Sequence, residues 1–431
     1  MMEITLHMLK TNFYKIRWRH IIYAISMMFL IALYVLDILD MIHKNEFGGD
    51  YLAFWSAGAV ADKYSYAAVY SRDVMTEMEL SGLRNTGFDI ENLYYLPFPY
   101  LPVFIIPFKY LSKIELVTSH WVWVIINWIL LISYLVYFTR RIAPATVNKR
   151  ILAVVAGAVV ISYPTLYNFI WAQLEVLLVI AAGEFIRNSV RKKPFIAGAW
   201  LALLLIKPQL LILIIPALFI LKNFDVLKGF LVSSMTLLLI SLAVAGVDGF
   251  YAMFKALFDL APGVSAREPL IMMNWRMLGL RLGDFLPAPW NWVIAAGGAV
   301  ATLWLSWRMV RTRPEFGTVQ WVVMMMGIVA ATCILTWHAH IHMAMILIPF
   351  ILFGIVNRGI SVHLVDEWVV LTPLVLFIVT ATGLIFKIDF ETSVIRYSNY
   401  FVSLLYLYLG LKMCLVISRP HSGEIPGVFE R

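Results

Sequence analysis

Polar side chains interrupt the apolar sequence of this chain at five places, and each carries a possible chemistry. Asp50 follows Gly48-Gly49 after the first long apolar run, Gln173 sits in "YNFIWAQLEVLL", and Lys207 sits in "LLLIKPQLL". Arg276 lies in "MMNWRMLGL", and His338, His340 and His342 alternate in "TWHAHIHMAMILIP". A carboxylate held at a membrane boundary is partly desolvated, which raises its proton affinity and suits it to general-base work. The same aspartate also fits a helix N-cap or a turn, roles that Asp favours. Alternation puts the three histidines on one side of an extended segment, or scatters them around a helix. They could bind zinc, face an anionic group at a cavity floor, or simply lie at the interface, and no carboxylate or cysteine constellation close by completes a metal site. Lys207 is a charge in an apolar run, which marks a functional site by default, with snorkelling from a short helix end as the alternative. Arg276 is either a solvated loop charge or, beside Trp275, a clamp on a phosphate. Glu175 and Glu184 are partners for these cations or the polar face of a helix. Tyr51, Phe54 and Trp55 form an interfacial belt or a sugar-stacking platform.

The elements that must position these groups follow from composition. The 431 residues are 61% hydrophobic and 14% charged, far from the soluble range of about half apolar and a quarter charged. Mean hydropathy is +0.82. Uncharged apolar runs recur, each long enough to cross a hydrocarbon core of roughly 30 Å. The chain therefore reads as an all-α polytopic integral membrane protein with roughly ten to twelve membrane segments. Residues 1–431 form a single membrane domain with no soluble domain attached. The net charge of +8 reports orientation in the bilayer and is no sign of nucleic acid binding. Cys333 and Cys414 both lie in apolar runs and read as packing residues. The run from Ile21 to Leu39 is too long for a signal-peptide core, and Asp37 and Asp40 stand where small residues would be needed, so it reads as a retained first span.

Basic clusters set the orientation. Lys10, Lys15, Arg17 and Arg19 precede the first span, and Arg140, Arg141, Lys149 and Arg150 follow the run 117–139. Further clusters are Arg187, Arg191, Lys192 and Lys193, then Lys222 and Lys228, then Arg308, Arg311 and Arg313. The positive-inside rule makes these loops and both termini cytoplasmic. Segments 41–95, 162–173, 248–289, 336–342 and 387–397 then lie outside, and nearly all the polar residues above share that face. The first of them is a long outer loop. Runs 151–163 and 195–206 are too short to span and end at Pro164 and Lys207-Pro208. The stretch "YLPFPYLPVFIIPFKYL" is a further half-helix or interfacial segment. Broken segments at membrane depth are tolerated where they pack in protein or line a wet cavity. One cavity on the outer face is the expectation.

With Asp50, Gln173, Lys207-Pro208-Gln209, Asn274-Trp275-Arg276 and His338-Ala339-His340 taken together, the chain resembles glycosyltransferase family 87. These are GT-C type membrane enzymes and include polyprenyl-phosphate-mannose-dependent mannosyltransferases. The opening "GGDYLAFWSAGAVADKYSYAAVY" is similar to the family's Gly-Asp-aromatic start, and "FIWAQLEVLL", "KPQLLILIIP", "NWRMLGL" and "HAHIHMAMILIP" follow in the family's order, so the resemblance runs from about residue 30 to 350. Members often carry Gly-Gln where this chain has Ala172-Gln173. The resemblance implies a GT-C fold and a plasma (inner) membrane location with the active site on the outer or periplasmic face. It implies an inverting transfer of a sugar, mannose by the nearest analogy, from a polyprenyl-phosphate donor to a glycolipid or glycan acceptor. Asp50 would be the catalytic base. Arg276, Lys207 and the histidines 338, 340 and 342 would face the donor phosphate. Tyr51, Gln173, Gln209, Asn274 and Trp275 would bind substrate. Neither cofactor nor metal is called for, since a lipid phosphate leaves readily and no acidic pair in the outer loops suggests a Mg²⁺ site. Asp62, Asp73, Glu77, Glu79, Asp89 and Glu91 would form the acceptor side.

A transporter or lipid flippase would use the same broken helices, with Lys207 and membrane carboxylates as coupling groups. Against it stand the absence of duplicated halves and the gathering of polar residues at one face. A non-catalytic scaffold would leave Asp50, Lys207 and the histidines unexplained.

Overall fold

The computed structural model describes residues 38–84, 95–142, 160–263, 272–357 and 395–419, with scattered positions in 21–36, 86, 156–157 and 359–378. Lys10, Lys15, Arg17, Arg19, Lys149, Arg150, Asp89, Glu91, most of run 151–163 and most of segment 387–397 lie outside the described residues. Among the described residues the protein is helical and without strands, with one isolated antiparallel bridge between Met272 and His340. This is the all-α membrane architecture that composition demands, because backbone polar groups in lipid must be satisfied within their own segment.

The segment expected as a long outer loop is largely helical. Helix α1 spans Gly49–Lys63, a 3₁₀ turn follows at Ala68–Tyr70, and α2 spans Arg72–Leu83. In α1 the residues Tyr51, Leu52, Ala53, Phe54, Ala57 and Val60 are all buried, as in a helix enclosed by protein. Phe54 stacks on Phe108 with ring centroids 5.0 Å apart, and the Trp55 indole donates to the Ile114 carbonyl at 2.9 Å. Tyr51 and Phe54 are thus core, neither an interfacial belt nor a sugar platform, while Trp55 is half-buried. Glu79, expected on the acceptor side, is buried and accepts from the Leu96 N–H at 3.2 Å. Asp62 pairs with Lys109 at 3.5 Å.

The proline-rich stretch is broken as expected, into a 3₁₀ turn at Pro102–Ile105 and the short helix α3, Ile106–Leu111. Helix α4, Leu116–Ile142, has 27 residues, about 40 Å at 1.5 Å per residue and ample for a core of about 30 Å. Pro164 starts a helix rather than ending one: it lies in the first turn of α5, Tyr163–Ile170, where its missing N–H costs nothing. Helix α6 is Glu175–Val190. Helix α7, Pro194–Leu201, tightens into a 3₁₀ turn at Ala202–Ile206, and a second one at Pro208–Leu210 leads into α8, Leu211–Ile220. The break between them falls at Lys207, with φ −133° and ψ 76°, because a residue before proline is pushed out of the α region.

Helix α9, Phe224–Gly263, kinks at Gly246, whose φ of 70° and ψ of 178° suit only glycine. Helices α10, Trp275–Leu282, α11, Trp290–Arg311, and α12, Val319–Leu335, follow. A 3₁₀ segment at Ile341–Leu347 continues as α13, Ile348–Val356, and the described chain closes with α14, Ile395–Ile417. Three helices among the described residues are long and apolar enough to cross a membrane: α4, residues 224–258 of α9, and α11. Six shorter apolar helical stretches accompany them, at 102–111, 194–206, 208–220, 319–335, 341–356 and 401–417. Only 11% of the apolar window in α9 is buried within the protein, so most of that helix faces outward. Helix α12, by contrast, is buried from Trp321 to Ile334, and Cys333 on it and Cys414 on α14 are both buried packing residues.

Helices α4 and α6 share two distinct ends. At one, Ser119 of α4 meets Tyr51 of α1, with the hydroxyl oxygens 2.7 Å apart. At the other, Arg187 of α6 lies over the Tyr137 ring of α4 at 5.8 Å, one turn from Arg140 and Arg141. Lys192 bonds Glu315 at 2.5 Å near that same basic end.

Candidate active site

At the end of α4 and α6 opposite those arginines, stretches far apart in sequence converge. Asp50 occupies the first turn of α1, half-buried, with Gly48 as the preceding cap residue. The N-cap position itself belongs to Gly48. A β-carbon on Gly48 would lie 2.1 Å from the Ile170 carbonyl oxygen, so only glycine permits this approach. The Gly48 N–H donates to His120 Nε2 of α4 at 3.2 Å, while the His120 ring lies edge-on to Tyr51 at 5.5 Å. The entry to α1 is thereby tied to both α4 and α5.

Gln173 is positioned by the end of α5. The Ala172 N–H bonds the Phe169 carbonyl at 3.2 Å and the Gln173 N–H bonds the Asn168 carbonyl at 2.9 Å, the paired pattern of a Schellman C-cap. Ala172 holds the left-handed position of that motif with φ 52°. Glycine is the usual occupant there, which gives a physical reason for the Gly-Gln pattern from which this chain departs. The Trp123 indole donates to the Ala172 carbonyl at 3.0 Å and anchors the turn to α4. Asn168 also accepts from the Glu175 N–H at 3.3 Å through its side chain, joining the end of α5 to the start of α6.

From this turn Gln173 reaches in two directions. Its Nε2 donates to Asp50 Oδ2, and its Oε1 accepts from Lys207 Nζ at 3.4 Å. Lys207 in turn forms an ion pair with Glu175 Oε1. His342 Nε2 completes the cluster, 3.1 Å from Lys207 Nζ and 3.3 Å from Glu175 Oε1. Lys207 is only 8% exposed, Glu175 0% and His342 3%, so the lysine does not snorkel. Burial of these charges is tolerable because they are paired; removing one partner of such a pair costs about 3–5 kcal/mol. Glu175 is the partner expected for Lys207. Glu184 is spent elsewhere, on Arg187 at 2.5 Å.

The histidine segment bends through His338, is extended at His340 and turns into the 3₁₀ helix at Ile341. Its rings form a row, His338 to His340 at 4.8 Å and His340 to His342 at 5.5 Å, and Tyr167 stacks on His342 at 5.7 Å. The Met273 N–H bonds the Ala339 carbonyl at 2.8 Å. Asn274 donates to the carbonyls of Thr336 at 2.9 Å and Trp337 at 3.0 Å, and its Oδ1 caps α10 through the Met277 N–H. Gln209 donates to the His338 carbonyl at 3.5 Å. Burial first, and the nearby charges of Lys207 and Arg276 next, hold His338 down at about 4, so it is neutral near pH 7. Among the described residues no group of three or more His, Cys, Asp or Glu side chains is arranged to hold a metal ion.

The expected site residues therefore divide. Asp50, Gln173, Lys207 and His342 are linked directly through polar contacts, and His338, His340, Gln209 and Asn274 adjoin them through the histidine segment. Arg276 is half-buried in the first turn of α10, close enough for its charge to act on His338. Two residues expected to bind substrate have partners within the protein. Tyr51 is fully buried and its hydroxyl is satisfied by Ser119, so it supports α1 from behind. The Trp275 indole donates to Thr302 of α11 at 2.9 Å and packs on Gly298, which makes it an anchor for α10. Lys207 Nζ, expected to face a phosphate, is engaged by Glu175, Gln173 and His342 Nε2, while the other ring nitrogen of His342, Nδ1, is buried without a hydrogen-bond partner among the described residues. Sequence reasoning missed His120 and Asn168; the one available signal was a polar residue inside an apolar helical run.

Residues 98–336, more than half of the chain, match the sequence profile of glycosyltransferase family 87. The chain belongs to this family. It is a membrane glycosyltransferase, and the transporter and scaffold readings fall away. No curated protein and no solved structure matches it. The stretch of the glycosyltransferase that matches contains Gln173, Lys207 and Arg276. Asp50 lies before that stretch and the three histidines after it, and the tertiary structure joins them to it.

Proposed function

We propose that this family 87 enzyme transfers a sugar, mannose by family analogy, from a polyprenyl-phosphate donor to a hydroxyl of a glycolipid or glycan, with inversion. Residues 1–431 act as one GT-C type domain in the plasma membrane. Both termini face the cytoplasm and the reaction takes place on the outer face. The separation of the Asp50 end of α4 from its Arg140-Arg141 end supports that orientation by the positive-inside rule.

The observation that carries this reading is the convergence on Asp50, through Gln173, of buried polar groups from α6, the Lys207 break and the histidine segment. Asp50 accepts the proton of the acceptor hydroxyl as its oxygen attacks the anomeric carbon. The bond from that carbon to the phosphate oxygen breaks, and the polyprenyl phosphate leaves with the electron pair. Arg276, His338 and His340, gathered beside this cluster, meet the departing phosphate. A guanidinium placed in advance stabilises the developing charge most effectively where water is excluded. Neutral histidines donate hydrogen bonds to it.

The test is sugar transfer by purified protein in liposomes from radiolabelled polyprenyl-phosphate-mannose to extracted glycolipids, with Asp50→Asn alongside. Transfer by the parent and none by an equally folded variant is the expected result. Equal transfer by both discards Asp50 as base. Transfer only from another polyprenyl-phosphate sugar replaces mannose and keeps the rest.

A further inference from the structure

The Gln173 side chain can satisfy its two neighbours in one orientation only. An ammonium donates and never accepts, while a carboxylate accepts and never donates. With Lys207 on one side and Asp50 on the other, the amide must point its oxygen to the lysine and its nitrogen to the aspartate. The contacts have this sense: Lys207 Nζ to Gln173 Oε1 at 3.4 Å, and Gln173 Nε2 to Asp50 Oδ2. A glutamine facing no cation could turn its oxygen toward Asp50, and the carboxylate would then lose a donor and meet a lone pair. Lys207 itself is fixed from behind by Glu175 and His342, all three buried.

We infer that Lys207, held by Glu175, is a positioning residue whose task is to fix the Gln173 amide and through it the Asp50 carboxylate, and that it does not bind the donor phosphate. This rests on Asp50 being the base. Three consequences distinguish it from a phosphate contact. Loss of Lys207 lowers kcat and leaves the donor KM unchanged. Loss of Gln173 does the same. Once Gln173 is gone, Lys207 has nothing further to contribute.

The experiment uses full-length protein in liposomes with polyprenyl-phosphate-mannose and, in parallel, the other available polyprenyl-phosphate sugars. Lys207→Met alone would strand Glu175 as a buried charge and endanger folding, so the principal variant is Lys207→Met with Glu175→Gln, which removes the pair as a unit. Gln173→Met, the triple variant and Asp50→Asn complete the set. Misplacement of a reacting group by about 1 Å costs on the order of 10²-fold. The expected result is a fall in kcat of about 10²-fold in both the pair variant and Gln173→Met, donor KM within about twofold of the parent, and a triple variant no slower than Gln173→Met. A donor KM raised tenfold or more in the pair variant, or losses that multiply in the triple variant, would overturn the inference while a dead Asp50→Asn left the base intact. An active Asp50→Asn would overturn the base, and a parent inactive with every donor would overturn the polyprenyl-phosphate donor reading, and either would take this inference with it.

Discussion

Gln173 donates its side-chain N–H to the carboxylate of Asp50, joining two residues 123 positions apart in the chain. One partner sits at the start of a helix and the other just past the end of one, so the relative placement of α1 and α5 sets the direction in which the carboxylate points.

The entry to α1 depends on the absence of a side chain at Gly48. A methyl group there would lie 2.1 Å from the Ile170 carbonyl oxygen, a backbone atom that cannot swing away. Gly48→Ala should shift the first turn of α1 and reduce sugar transfer by about 10²-fold. The protein should still purify folded, as judged by thermal unfolding in detergent.

His120 provides the acceptor for the Gly48 N–H. Replacement by Ala should strand that buried donor at a cost of about 1–3 kcal/mol and leave a cavity beside Tyr51. His120→Asn, which offers an acceptor of similar reach, should recover part of both stability and transfer rate. Equal losses for Ala and Asn would show that ring packing alone matters at this position.

Ala172 already occupies the left-handed region at φ 52°. Ala172→Gly should therefore preserve transfer within about twofold, since glycine takes that conformation freely. A β-branched residue is a true outlier there. Ala172→Val should turn Gln173 away from Asp50 and lower transfer at least tenfold, an outcome read from initial rates at saturating donor.

His338, in the segment between α12 and the 3₁₀ helix, is held at about 4 by burial and by the charges of Lys207 and Arg276. Its unfolded value is about 6.5. Between these values the unfolded chain binds the proton and the folded chain does not, so stability rises with pH across that window and falls as pH drops from about 6.5 toward 4. Unfolding temperatures measured from pH 4.5 to 7.5 should show this slope, and His338→Asn should make it shallower without abolishing it, because His120 is buried as well. No protonation of His338 should inflect the transfer rate between pH 6 and 8.

Much of the molecule is legible in its residues taken in order. Long apolar runs announce spans, Pro102, Pro164 and Pro208 announce breaks, and a lysine among leucines announces a paired charge. Asp50, Gln173, Lys207 and the histidines were recognisable as polar residues placed where polarity is expensive. The aromatic residues after Asp50 misled, because Tyr51 and Phe54 read the same whether a helix is covered by lipid headgroups, by sugar or by other helices. Trp275 is ambiguous in the same way, and only the structure pairs its indole with Thr302 from another helix.

The sequence by itself determined the solvent, the helical class and the list of polar groups in need of partners. These are additive properties: each residue's transfer free energy and each proline's missing N–H act locally, whatever the neighbours. Only the tertiary structure decided which partner each group takes. Glu175 and Glu184 lie on one helix nine positions apart, and one holds Lys207 beside Asp50 while the other holds Arg187 at the far end. That choice depends on which helices meet and at what depth, and a buried hydrogen bond is decided by tenths of an ångström that no local pattern records.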